Sequence, residues 1–125
     1  QVMREIKFRA WDGEKYISPD YITRDGVAHW KEDSIPTRST IIEQFTGLHD
    51  KNGKEIYEGD LMRSSFPSRI DIPDSIQIVE WCERDASFFA IDKAEFRLGG
   101  KLHPVWWNTH CEVIGNIHEN PELLK

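Results

Sequence analysis

The sequence predicts a mainly β fold: a small SH3-like barrel with an N-terminal β-ribbon extension and a short C-terminal helical turn. Three observations carry this. The apolar inventory holds 14 Ile against 6 Leu and 5 Ala, together with 14 aromatic residues. Branched and aromatic side chains suit the pleated, half-buried surface of a sheet, whereas Ala and Leu are the usual fillers of helices. Short alternating runs are also separated by Asp-Gly turn signals. Finally, two close turns, Asp50-Lys51-Asn52-Gly53 and Glu58-Gly59-Asp60, flank the apolar pair Ile56-Tyr57. That spacing is similar to the diverging turn of small SH3-like barrels, an analogy of fold that brings no function with it.

The elements follow in order. Between Arg4 and Trp11, Ile6, Phe8 and Ala10 alternate with Glu5, Lys7 and Arg9, so one strand face is solvated. Asp12-Gly13 then leads into Tyr16-Ile17, and Asp25-Gly26 joins Tyr21–Arg24 to Val27–Trp30. Both Asp-Gly pairs predict two-residue hairpin turns, in which both central residues take φ > 0. Two ribbons of this size need a body to pack on. The polar stretch 31–38 marks the internal boundary. The chain is thus one domain, 1–125, with a ribbon region (1–38) and a barrel-like core (39–125) that carries a variable loop near 66–74.

Within the core, Ser39–Thr46 reads as a buried strand on Ile41, Ile42 and Phe45, and a further strand follows Asp60. Ser75–Cys82 and Ser87–Asp92 are strands joined by the Glu83-Arg84-Asp85 turn. Lys93–Leu98 reads as a helical turn or irregular structure, Gly99-Gly100 as a turn, His103–Trp107 as extended and Cys111–Ile117 as the last strand. Asn120-Pro121 then starts a short helix, with Asn120 as its cap and Pro121 in the first turn.

Charge and cysteine usage bound the function. The net charge of −6 repels polyanions at long range and disfavours nonspecific nucleic-acid binding. No uncharged apolar run approaches the roughly 20 residues that cross a bilayer. Cys82 and Cys111 belong to no Cys framework and no signal peptide points to secretion, so the expectation is a cytoplasmic protein with free thiols.

Sites with catalytic or metal chemistry find little support. If Gly53 is placed at the invariant glycine of a calcium loop, Leu48 and Gly59 fall where oxygen ligands are required. His103, His110, Cys111, His118 and Cys82 lack zinc-site spacing. There is no G-x-S-x-G elbow, and Gly99-Gly100-Lys101 is not a phosphate loop. The expectation is no catalytic residue, no metal and no cofactor. Five Trp in 125 residues is dense, however. Trp11, Trp30, Trp106 and Trp107 are the candidate partner-binding residues, because exposed Trp anchors interfaces or stacks on bases. The bland alternative is that these rings are buried under the N-terminal ribbons.

Three blocks carry a resemblance: Arg4-Glu5-Ile6-Lys7-Phe8-Arg9-Ala10-Trp11-Asp12; Gln44-Phe45-Thr46-Gly47-Leu48 through Glu58-Gly59-Asp60; and Glu112-Val113-Ile114-Gly115-Asn116-Ile117-His118-Glu119-Asn120-Pro121-Glu122-Leu123-Leu124. In this order and spacing the chain resembles the YopX family of phage and prophage proteins, over about Met3 to Leu124. The resemblance implies a mainly β fold, a phage-related origin and action inside a bacterial host. It offers no functional residue to carry over. The preferred expectation is a nonenzymatic phage accessory protein that binds a phage or host protein or itself as a homo-oligomer, away from any membrane. The alternative is a nucleic-acid-binding barrel that uses Arg4, Lys7, Arg9, Arg24 and Lys31.

Overall fold

The computed structural model describes residues 5–29, 41–64, 75–92, 97–101 and 110–124. Among these the strands are β1 (Phe8–Trp11), β2 (Tyr16–Ile17), β3 (Tyr21–Ile22), β4 (Ala28–His29), β5 (Ile41–His49), β6 (Glu55–Tyr57), β7 (Asp60–Ser64), β8 (Ser75–Cys82), β9 (Ser87–Asp92), β10 (Arg97–Lys101) and β11 (Cys111–Asn116). A single 3-10 turn, Pro121–Leu124, ends them. The fold is mainly β, as the Ile-rich and aromatic-rich composition predicts. No helix among the described residues is long and apolar enough to cross a membrane. The chain divides into two compact units, Gln1–Phe45 and Thr46–Lys125, and β5 runs through the boundary.

In the first unit β1 pairs on one side with β2, placing Trp11 opposite Tyr16. On the other side it pairs with β5, placing Arg9 opposite Glu43 and Ala10 opposite Ile42. The first expected ribbon is therefore no free-standing hairpin, because β5 backs its first strand. The turns also differ from expectation. The β1–β2 loop spans four residues, Asp12 to Lys15, closed by Asp12 N–H donating to Lys15 C=O at 3.1 Å. Asp12 Oδ1 accepts from the N–H groups of Glu14 (2.8 Å) and Lys15 (2.9 Å). These donors hold its carboxyl below the usual range, with Lys15 first. Of the two expected turn residues only Gly13 takes positive φ, at 106°, while Asp12 folds its carboxylate over the turn.

The β3–β4 loop follows a second rule. Thr23 N–H donates to Val27 C=O at 2.9 Å, and Gly26 N–H donates to Thr23 C=O at 2.9 Å. Val27 N–H donates to Thr23 Oγ1 at 3.0 Å. The same three bonds recur in the β5–β6 loop: Asp50 N–H to Lys54 C=O (2.8 Å), Gly53 N–H to Asp50 C=O (3.0 Å), and Lys54 N–H to Asp50 Oδ1 (2.9 Å). Thr-Arg-Asp-Gly-Val and Asp-Lys-Asn-Gly-Lys thus encode one device, a three-residue loop closed by a glycine at positive φ and an oxygen on the first side chain.

In the second unit the strands run in the order β10-β9-β8-β7-β11, all antiparallel. One sheet face carries Met62, Val79, Ala90 and Cys111, which form the core cluster with Ile56 of β6, flanked by Leu48, Phe88 and Val113. Fully burying side chains such as Ile56, Met62 and Val79 contributes about 1.5–3 kcal/mol each. Leu61, Ile78 and Phe89, on the opposite face, are buried as well. β10 runs straight through Gly99-Gly100, where a turn was expected, and its register against β9 shifts between Leu98 and Gly100. Glycine inside a strand commonly marks a bulge, and here it absorbs one. Arg97 and Leu98, expected in a helical turn or irregular structure, belong to strand β10, while 31–38, 66–74, 93–96 and 103–107 lie outside the described residues.

The turns that flank β6 lock this unit together. Asp50 is buried, and its Oδ1 also accepts from Asn52 N–H at 2.8 Å while its Oδ2 accepts from Val113 N–H at 2.9 Å. Lys51 N–H donates to Cys111 C=O at 3.0 Å. The loop thus covers the outer edge of β11, whose exposed N–H and C=O groups would otherwise invite strand addition. Gly59, at φ 82°, donates to Val79 C=O and accepts from Ile117 N–H, both at 2.9 Å. Asp60 Oδ2 accepts from Tyr57 N–H at 2.8 Å.

The C-terminal segment is organised from behind the 3-10 turn. Asn116 Oδ1 accepts from His118 N–H (3.1 Å) and Glu119 N–H (2.8 Å), and its Nδ2 donates to Glu119 Oε1 at 2.9 Å. Asn120 was expected to cap the turn ahead of it. Its Oδ1 instead accepts from Asn116 N–H at 3.2 Å, so the side chain faces back towards β11. That position is open to it because Gly115 has no side chain: a Cβ there would come 2.7 Å from Asn120 Cγ.

Candidate functional site

The N-terminal candidates resolve into a paired cluster. Arg9 and Glu43 are cross-strand partners, so their side chains leave the same face. Arg9 Nε lies 2.9 Å from Glu43 Oε1, and the Tyr16 hydroxyl donates to that same oxygen at 2.9 Å. Glu43 is only 4% exposed. The guanidinium also sits 4.1 Å from the centre of the Tyr16 ring, and Trp11 meets that ring edge-on at 5.1 Å. Arg9 therefore compensates a buried carboxylate, which removes it from the solvated face read from the sequence.

Of the other basic candidates, Lys7 and Arg24 are described. Lys7 pairs with Glu5 at 3.0 Å and lies over the Phe45 ring at 5.4 Å. Arg24 is exposed in the β3–β4 loop. Arg4 and Lys31 lie outside the described residues, as do Trp30, Trp106 and Trp107. Trp11, the remaining member of the predicted tryptophan set, is half-buried against Tyr16.

Two exposed aromatic groups were missed in the sequence. Trp81, at the end of β8, is 46% exposed and stands edge-on to Phe88 across the β8–β9 pair, with ring centres 4.9 Å apart. Phe88 itself is half-buried and packs on the core cluster, so the Trp81 ring rests on a residue tied to the core. The adjoining turn, 83–86, is exposed and carries Glu83, Arg84 and Asp85. The second group is Tyr21, 60% exposed and stacked on His29 with ring centres 4.7 Å apart. The available signal for Trp81 was its place at a strand end beside a charged turn. Strand alternation alone groups it with Gln77 and Val79, opposite Ile76 and Ile78.

The cysteines are free thiols. Cys111 is fully buried in the core cluster, and burial pushes its thiol up to about 12. A thiol held protonated in this way is a poor nucleophile. Cys82 is half-buried at the end of β8.

With this geometry in place, the family model described as YopX protein matches residues 7–125. The chain belongs to the YopX family. Two solved structures resemble this YopX protein over their whole length. Protein EF1440 from Enterococcus faecalis shares 26% identity at a TM-score of 0.68, covering 98% of this chain and 100% of that one. Protein yopX from Bacillus subtilis shares 20% identity at a TM-score of 0.63, with the same coverage, and that likeness is one of fold. No curated protein matches the chain. The blocks that carry the family resemblance contain Asp50, Gly59, Asp60, Gly115, Asn116 and Asn120. In this YopX protein each of them closes a turn, joins two strands or makes room for a neighbour.

Proposed function

We propose that this YopX protein is a phage- or prophage-encoded accessory module that works without catalysis in the bacterial cytoplasm by binding another protein. The carrying observation is Trp81, exposed yet held edge-on against Phe88, which packs on the core cluster. Tryptophan in such a setting presents a large, rigid contact area with little side-chain freedom to lose on binding. The partner is a phage or host protein, or a second copy of this chain. The sheet order supports an SH3-like reading of the second unit, since four strands meander and the fifth returns beside the first. Among the described residues no ladder closes that sheet into a barrel.

Nucleic-acid binding is the weaker reading, because Arg9 neutralises Glu43 and Lys7 pairs with Glu5. Affinity capture from phage-induced cells, with and without nuclease, separates the two. A stoichiometric protein that survives nuclease supports the proposal. Recovery of nucleic acid, with associated proteins lost after nuclease, contradicts it.

A further inference from the structure

The Asn52-Gly53 peptide forms the tip of the loop that clasps β11. Succinimide formation needs the following backbone nitrogen to reach the asparagine Cγ, so the residue after the asparagine governs access. The chain has four asparagines, and only Asn52 precedes a glycine. Asn108 and Asn116 precede the β-branched Thr109 and Ile117, and Asn120 precedes Pro121, whose nitrogen carries no proton. Asn52 and Gly53 are both exposed, and no other group lies within 4 Å of the space a Cβ would fill at Gly53.

The same residues are restrained by one neighbour. Asn52 N–H donates to Asp50 Oδ1 at 2.8 Å, and Gly53 N–H, the attacking group, donates to Asp50 C=O at 3.0 Å. Lys54 N–H is held by Asp50 Oδ1 at 2.9 Å. Asn52 Nδ2 faces Glu112 Oε2 on β11 at 3.5 Å.

We infer that Asn52 is a self-modification site, converted to aspartate and isoaspartate at a rate set by Asp50, and that the product loosens the loop from β11. In the reaction the Gly53 nitrogen forms a bond to Asn52 Cγ, and the side-chain nitrogen leaves as ammonia, taking up the proton from Gly53 N–H. Water then opens the succinimide at either carbonyl, giving aspartate or isoaspartate. The sum is asparagine plus water to acid plus ammonia, with no change of oxidation state. Each event adds one negative charge to a chain already at −6. It also replaces a donor facing Glu112 with a carboxylate, so an attractive contact becomes a repulsive one. The isoaspartate form lengthens the backbone inside a loop whose closure depends on its residue count.

The test ages the intact protein in mildly alkaline buffer and locates acid products by peptide mapping. Mapping is needed because Asp12-Gly13 and Asp25-Gly26 can form isoaspartate through the same ring without a change of charge. The expected result is acid at residue 52 ahead of Asn108, Asn116 and Asn120, with several-fold faster conversion in Asp50→Ala. If that variant does not fold, wild type in rising sub-denaturing urea replaces it: a rate at Asn52 that climbs supports control by the loop, and a flat rate overturns it. An intact Asn52 while another asparagine converts would overturn the site itself. For the consequence, Asn52→Asp should lower the melting temperature, and Glu112→Gln should reduce that loss. An equal loss in both backgrounds contradicts the repulsion.

Discussion

At Asp50 one buried carboxylate accepts three backbone N–H groups, two inside its own loop and one from β11. Asp50→Ala should therefore destabilise the protein by about 2–4 kcal/mol, since buried donors left without partners cost about 1–3 kcal/mol each and those at the loop surface can recover water. Urea unfolding measures this. Gly115→Ala should also destabilise, because the new methyl meets the Asn120 side chain. Asn120→Ala should rescue part of that loss, and a double-mutant cycle reads the coupling. Cys111 supplies a pH test. Its folded value, about 12, lies above its ordinary value of 9.0. The protonated thiol therefore stabilises the fold fully below pH 9.0, and that stabilisation is lost as pH rises towards 12. Stability should fall across this window more steeply in wild type than in Cys111→Ala, whatever the variant's baseline. A thiol reagent should modify Cys82 first and reach Cys111 on unfolding.

The strand pair β1–β5 illustrates what an element needs beyond its pattern. Arg9→Ala would leave the Glu43 carboxylate buried with the Tyr16 hydroxyl still on it, and it should cost about 3–5 kcal/mol, the range for breaking a buried ion pair. Replacing Arg9 and Glu43 together by Met and Leu should recover most of that loss in thermal unfolding. The sequence told much about the elements: β8 and β9 begin and end at the expected residues, because their runs are bounded by sharp turn signals. It told less where side chains from distant segments intervene. The buried pair of Arg9 and Glu43 joins residues 34 apart, and neither alternation nor charge counting announces it. The β1–β2 loop and the path of β10 were misjudged for a local reason. Asp12 folds its carboxylate over a four-residue loop and leaves positive φ to Gly13 alone, and Gly99-Gly100 serves a bulge, although the same dipeptide commonly makes a turn.

For the whole molecule, composition already declared a mainly β chain, and three ordered blocks declared the family. The candidate site was less legible, because exposure depends on which face the rest of the chain covers. Trp81 shares its face with Met62, Val79 and Ala90, yet it sits where that core ends. Its ring adds about 1 kcal/mol through the edge-on contact with Phe88, so Trp81→Ser should fold with a modest loss. The measurement that tests the central claim most directly is a side-by-side affinity capture of wild type and Trp81→Ser, both confirmed folded, from nuclease-treated extracts of phage-induced cells. The account predicts a stoichiometric protein partner on wild type that is lost from the variant. A partner held equally by both proteins would contradict the assignment of Trp81 as the binding anchor.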